Sequence, residues 1–134
     1  MAKVLIVDDD EDDRDLLFEA IHEVDRSTKC IVARNGQEAL AGLRRAEMPT
    51  PDLIFLDLNM PRVNGMQFMQ EIRRDPTLQD IPVVIYTTSK LSKDELECKR
   101  LGAVYFITKP NSFRGICKIV SEIFANEMII NKRP

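Results

Sequence analysis

Five short apolar runs divide the chain, and four of them end at acids, hydroxyls or a lysine. Residues 4–7 run into Asp8-Asp9-Asp10, residues 53–56 into Asp57, residues 83–86 into Thr87-Thr88-Ser89, and residues 104–107 into Thr108-Lys109-Pro110; residues 30–33 make a fifth run. Continuously apolar stretches of this length, rich in Val and Ile and without period-two alternation, read as strands buried on both faces. Between them the spacing changes to that of helices. Leu16, Leu17, Ala20, Ile21 and Val24 share one face of a helix over about 12–24, and Ala39, Leu40 and Leu43 face inward from a helix over 37–45 with Asn35 as its N-cap. Pro61 and Gly65 turn the chain into a helix ending near 74, which buries Met66, Met69 and Ile72 before Asp75-Pro76 stops it. A more polar helix over 92–101, closed by Gly102, has the least apolar surface with which to dock. The last helix starts near 112 and places Phe113, Ile116, Cys117, Val120, Ile123 and Phe124 at helical spacing.

Strand and helix thus alternate five times, which predicts an α/β fold: a five-stranded parallel sheet with helices on both faces. Right-handed crossovers and the strand count favour the doubly wound order 2-1-3-4-5. In that order strands one, three, four and five are neighbours. Asp8 and Asp9, Asp57, Thr87 and Lys109 then meet along the carboxyl rim, where open α/β sheets bind ligands.

Composition narrows the possibilities. With 134 residues the chain suits one domain, expected over 1–126 with a C-terminal tail over 127–134. A net charge of -3, from 19 basic and 22 acidic residues, gives no single-sign field, so neither nucleic acid nor an anionic membrane is expected as a partner. Cys30, Cys98 and Cys117 are odd in number and lack a Cys-x-x-Cys pair, which disfavours a disulfide framework or a zinc site. The first apolar run is too short for a signal sequence or a membrane span, so a cytoplasmic location is expected.

The rim carries the candidate chemistry. Alone, Asp57 would read as an acid capping a turn at the end of a strand. Three carboxylates gathered there repel by about 4 kcal/mol per pair at roughly 4 Å and an effective dielectric near 20, so a cation must join them. Oxygen ligands without histidine or cysteine suit Mg2+. Such a site can move a phosphoryl group onto Asp57, with Thr87 and Lys109 holding the other phosphoryl oxygens. An aspartyl-nucleophile phosphatase would want a second carboxylate two positions on, where this chain has Asn59. A phosphate-binding loop of the flavodoxin kind would be repelled by the three aspartates after the first strand.

Val7-Asp8-Asp9, Asp57-Leu58-Asn59-Met60-Pro61 with Gly65, Tyr86-Thr87-Thr88, and Lys109-Pro110 after Phe106 stand in order at four strand ends. In these motifs the chain resembles the receiver domains of bacterial two-component response regulators, of the small CheY-like type and flavodoxin-like fold. The resemblance implies that Asp57 accepts phosphate from a sensor histidine kinase, and that the protein is a phosphoacceptor rather than an enzyme. It implies Mg2+ held by Asp9, Asp57 and the Asn59 backbone carbonyl, with Asp8 helping through water. It further implies a cis Lys109-Pro110 bond, a Thr87 and Phe106 switch, and a readout face formed by helix four, strand five and helix five that contacts a downstream protein. Phe106 lacks the hydroxyl of a tyrosine switch, Thr88 is larger than the residue usual there, and Asn59 and Ser89 occupy positions that tune hydrolysis. The short chain and its loops also look like the regulators that serve phytochrome-type and hybrid sensor kinases. An adaptor of the same shape that works without phosphorylation is the remaining alternative. Two features stand outside the motifs. His22 reads as a surface helix residue and Asp10 to Asp13 as a solvated helix start, whereas the tail over 127–131 with Ile119 suggests a homodimer or partner contact as readily as a turn folded back on its own domain.

Overall fold

In the computed structural model, which describes residues 2–61 and 63–126, the alternation is realised as β1 Lys3–Val7, α1 Glu11–Val24, β2 Lys29–Ala33, α2 Gly36–Arg44, β3 Leu53–Leu56, α3 Gly65–Arg74, β4 Val83–Thr87, α4 Ser92–Arg100, β5 Tyr105–Thr108 and α5 Phe113–Phe124. The sheet is parallel throughout, in the order β2-β1-β3-β4-β5. The tail over 127–134 lies outside the described residues, and Ile119, the described member of the suggested dimer contact, is half-buried against the core layer of α1 and α5.

Strand alternation sorts the core into two layers. Val4, Ile6, Leu53, Phe55, Val84 and Tyr86 face α1 and α5, where Leu17, Ile21, Ile116, Val120 and Ile123 meet them. Leu5, Val7, Ile54, Leu56, Val83 and Ile85 face the opposite layer, with Leu40, Phe68, Met69, Ile72 and Cys98. Burying each such side chain contributes about 1.5–3 kcal/mol, enough to hold the three inner strands as a rigid platform.

Several expectations are corrected here. The strands expected over 30–33 and 104–107 are edge strands, so they are only half-buried, and Val104 lies before β5 and is exposed. Leu16 is 41% exposed because the face that docks α1 centres on Leu17, Ala20 and Ile21, and Leu16 falls outside it. Phe113 is 40% exposed, since it opens α5 one turn ahead of the buried Ile116, Val120 and Ile123. On α3 the fully buried side chains are Phe68, Met69 and Ile72, while Met66 is only half-buried.

Helix ends are fixed locally. Asn64 and Gln67 form a reciprocal capping box at the start of α3, and Asn35, Asp10 and Ser112 cap α2, α1 and α5. Helix α4 has no side-chain cap and buries only Cys98, matching its polar sequence. Its far end is held by Arg73, whose guanidinium donates to the carbonyls of Leu101 at 2.7 Å and Gly102 at 3.3 Å, where Gly102 takes a φ of 86°.

Gly65 sits against the turn that follows β3. A Cβ there would lie 2.4 Å from the Asp57 carbonyl oxygen and 2.7 Å from the Leu58 Cα. Neither is a flexible side chain, so the backbone itself would have to move. Gly65→Ala is therefore expected to destabilise the fold by about 1–3 kcal/mol, as overpacking does, measured by urea unfolding. A variant as stable as the parent would contradict the contact.

Candidate functional site

The rim residues are placed by the sheet ladder, which continues one step past the strands. Asp8 N–H donates to the Ala33 carbonyl at 3.1 Å, Asp57 N–H to the Val7 carbonyl at 3.0 Å and Lys109 N–H to the Thr87 carbonyl at 2.7 Å. Each backbone is therefore as fixed as a strand residue, while its side chain is released at the mouth of the sheet. The structure brings together Asp8, Asp9 and Asp57, whose carboxylate oxygens lie within 4.8 Å of one another. Asp8 and Asp57 are buried, and Asp9 is exposed.

Lys109 reaches into this cluster from the β5 end. Its ammonium lies 2.8 Å from Asp8 Oδ2, 2.8 Å from Asp13 Oδ2 and 3.6 Å from Asp57 Oδ2, with the side chain only 8% exposed. The Tyr86 ring stands below it, 5.8 Å from the ammonium to the ring centroid. Burial pushes the Asp8 carboxyl up to about 6, against the opposing pull of Lys109 and of the Asp10 N–H bonded to Oδ1 at 3.0 Å. For Lys109 burial works against the charge, but the hydrogen bonds to Asp13 and Asp8 and the charges of Asp8 and Asp57 outweigh it and raise the pKa. Burial likewise pushes the Tyr86 hydroxyl up to about 12.

Thr87 is fully buried at the end of β4, and its hydroxyl accepts from Ser89 N–H at 3.3 Å. Ser89 in turn donates from its hydroxyl to Asp94 Oδ2 at 2.7 Å, which ties the post-β4 loop to the first turn of α4. Asn59 is exposed and meets Asp57 through its backbone N–H, 3.4 Å from Oδ1. Phe106 is half-buried on β5, packed against the layer of α2, α3 and α4. Thr88 is exposed beside Thr87. His22 packs on Phe18, ring centroids 4.3 Å apart, with Nε2 3.0 Å from the Thr28 carbonyl oxygen, as a structural residue would.

Two points depart from expectation. The Lys109-Pro110 bond is trans, since no cis peptide occurs among the described residues. Trans is the lower-energy isomer of an X-Pro bond by about 0.5–1 kcal/mol, and with it the lysine already meets Asp8 and Asp13. Asp13, read as part of a solvated helix start, is instead a partner of Lys109 across 96 positions of sequence. The available signal was that α1 begins at the same rim as the lysine, so an acid in its first turn lies within reach.

The donor set fits a hard divalent cation. The clustered ligands are carboxylate oxygens, two of them buried, and no histidine or cysteine joins the group. Oxygen-only sites of this kind take Mg2+ or Mn2+ in preference to softer metals.

Comparison with known proteins agrees with this geometry. The family model described as the response regulator receiver domain matches residues 4–121. The response regulator Rcp1 of Synechocystis sp. is 32% identical over 124 residues, covering 90% of this chain and 84% of Rcp1. Among solved structures, the phosphorylated cyanobacterial phytochrome response regulator RcpA superposes with a TM-score of 0.87 at 34% identity, over 99% of this chain and 96% of that one. The Mn2+-bound form of Rcp1 superposes at 0.81 with 30% identity, over 94% of each chain. Receiver domains bind a divalent metal and work with histidine kinases. With its motifs, strand order and acidic rim in agreement, the chain belongs to the response regulator receiver family of two-component signalling proteins.

Proposed function

We propose that the protein is a response regulator that accepts a phosphoryl group on Asp57 from a histidine kinase, in a Mg2+-dependent reaction, and passes the signal on by protein contact in the cytoplasm. The observation that carries this reading is the convergence on Asp57 of two further carboxylates and a buried lysine. A carboxylate oxygen can itself act as the nucleophile, without a separate base beside it. An Asp57 oxygen forms the new O–P bond as the N–P bond of the kinase phosphohistidine breaks, and the electron pair of that bond stays with the imidazole nitrogen. Lys109 and the Thr87 hydroxyl take the phosphoryl oxygens as negative charge collects there. Asp9, Asp57 and the Asn59 carbonyl would hold Mg2+, with Asp8 acting through water. When bound, the ion offsets the mutual repulsion of the acids and the phosphoryl group.

The likeness to Rcp1 and RcpA supports a phytochrome-type kinase as the donor. The exposed Leu96 of α4, 68% accessible, and the exposed Leu91 and Val104 that flank α4 on either side support the face of α4, β5 and α5 as the readout surface. Thr87 and Phe106 would connect the site to that face. The test is incubation with acetyl phosphate and MgCl2 followed by intact mass. A gain of one phosphoryl group, abolished by a chelator, is expected. An unchanged mass would favour an adaptor that works without phosphorylation.

A further inference from the structure

We propose that Asp13 is a positioning residue for this reaction: it holds the Lys109 ammonium away from Asp57 and releases it to the phosphoryl oxygens as they arrive. The proposal rests on the reading of Asp57 as the acceptor. An ammonium has three N–H donors. Two are committed at 2.8 Å to Asp8 Oδ2 and Asp13 Oδ2, and Asp57 Oδ2 stands at 3.6 Å, beyond a proper hydrogen bond. Among the described residues, the cation positioned to hold a phosphoryl group on Asp57 is thus bound to two carboxylates that do not react.

Of those two contacts, the bond to Asp13 is the exchangeable one. The Asp8 side chain is 3% exposed, and without Lys109 it would be a buried anion whose hydrogen-bond donor, among the described residues, is the Asp10 N–H. The Asp13 side chain is 34% exposed and belongs to the first turn of α1, where water and the helix dipole stabilise a free carboxylate. Its backbone N–H is satisfied by Asp10 Oδ1 at 3.0 Å, so the helix start does not depend on the lysine. Arg14 is committed elsewhere, its guanidinium donating to the Asp8 carbonyl oxygen at 2.8 Å. An arriving phosphoryl group brings three strong acceptor oxygens and up to two negative charges. Lys109 therefore exchanges a rim carboxylate for a phosphoryl oxygen, and Asp13 opposes the reaction twice, by retaining the lysine and by repelling the donor anion.

The test compares wild type, Asp13→Asn, Asp13→Ser and Asp13→Glu for the rate of phosphorylation by acetyl phosphate at saturating Mg2+, and for Mg2+ affinity. Replacing the ionised acceptor of Lys109 by a neutral amide weakens that hold and should raise the rate about fivefold in Asp13→Asn. Mg2+ binding should weaken in the same variant because the site loses a negative charge. Asp13→Ser should move both quantities in the same directions, and Asp13→Glu should bring both back toward wild type. A merely structural role would lower rate and affinity together. A labelled wild type with an unchanged or slower Asp13→Asn overturns the proposal alone; an unlabelled wild type overturns the assignment of Asp57 and the proposal with it.

Discussion

Lys109→Ala should slow phosphorylation of Asp57 by about 10²–10³, the usual consequence of removing one donor aimed at developing charge, while tightening the binding of Mg2+. The two effects have one origin. The ammonium lies within 3.6 Å of both Asp8 and Asp57, where it neutralises charge that a divalent ion would otherwise use. Removing it strengthens the field on the ion by roughly tenfold in affinity, but leaves one set of phosphoryl oxygens without a partner. The metal-free variant should also lose about 3–5 kcal/mol of stability, because buried carboxylates are left unpaired, and much of that loss should return on adding Mg2+. Isothermal titration, urea unfolding and intact mass together measure all three. Weaker Mg2+ binding with an unaltered rate would contradict this role for Lys109.

The second large effect concerns pH. Asp8 has a carboxyl raised from 3.8 to about 6, chiefly by burial. A carboxyl with a higher pKa in the folded protein than in the unfolded chain binds its proton more tightly when folded. Its contribution to stability is therefore present below pH 3.8 and is lost as the pH rises through about 6. Without metal the protein should lose on the order of 3 kcal/mol to this one group across that interval. Asp8→Asn should remove the loss, making the metal-free variant more stable than the parent at pH 7.5, yet less stabilised by added Mg2+. The parent should gain about 2.7 kcal/mol from Mg2+ at a hundred times its dissociation constant, with the gain shrinking below pH 6 as Asp8 takes its proton. A metal-free parent equal in stability to Asp8→Asn at both pH 5 and pH 7.5 would contradict the cost assigned to Asp8.

The parts of the site that lie on the strand ladder were legible in the chain. Asp57 follows four apolar residues, and Asp8, Thr87 and Lys109 close runs of the same kind. Once the strand order is set, the ladder leaves no freedom in where their backbones stand. What depends on a side chain crossing between elements was not legible. The Asp13 to Lys109 contact is decided by where a long lysine ends, and one acid among Asp10, Glu11, Asp12 and Asp13 looks like another in a linear sequence. Burial at the margins was equally hidden. Whether Leu16 or Phe113 is covered depends on how α1 and α5 rest on the sheet, and the half-exposure of β2 and β5 depends on their places at its edges. The capping box of Asn64 and Gln67 at the start of α3 is a finding of the structure; in the chain that start was read from Pro61 and Gly65 alone.

The most direct measurement of the central claim is to phosphorylate the protein with acetyl phosphate and Mg2+, reduce the acyl phosphate with sodium borohydride, and map the peptides by mass. Borohydride converts a phosphorylated aspartate to homoserine and so labels the acceptor itself. Homoserine at position 57, absent from Asp57→Asn, is the predicted result. Homoserine at Asp8, Asp9 or Asp13 instead, or none at all in a protein that has gained a phosphoryl group, would contradict it.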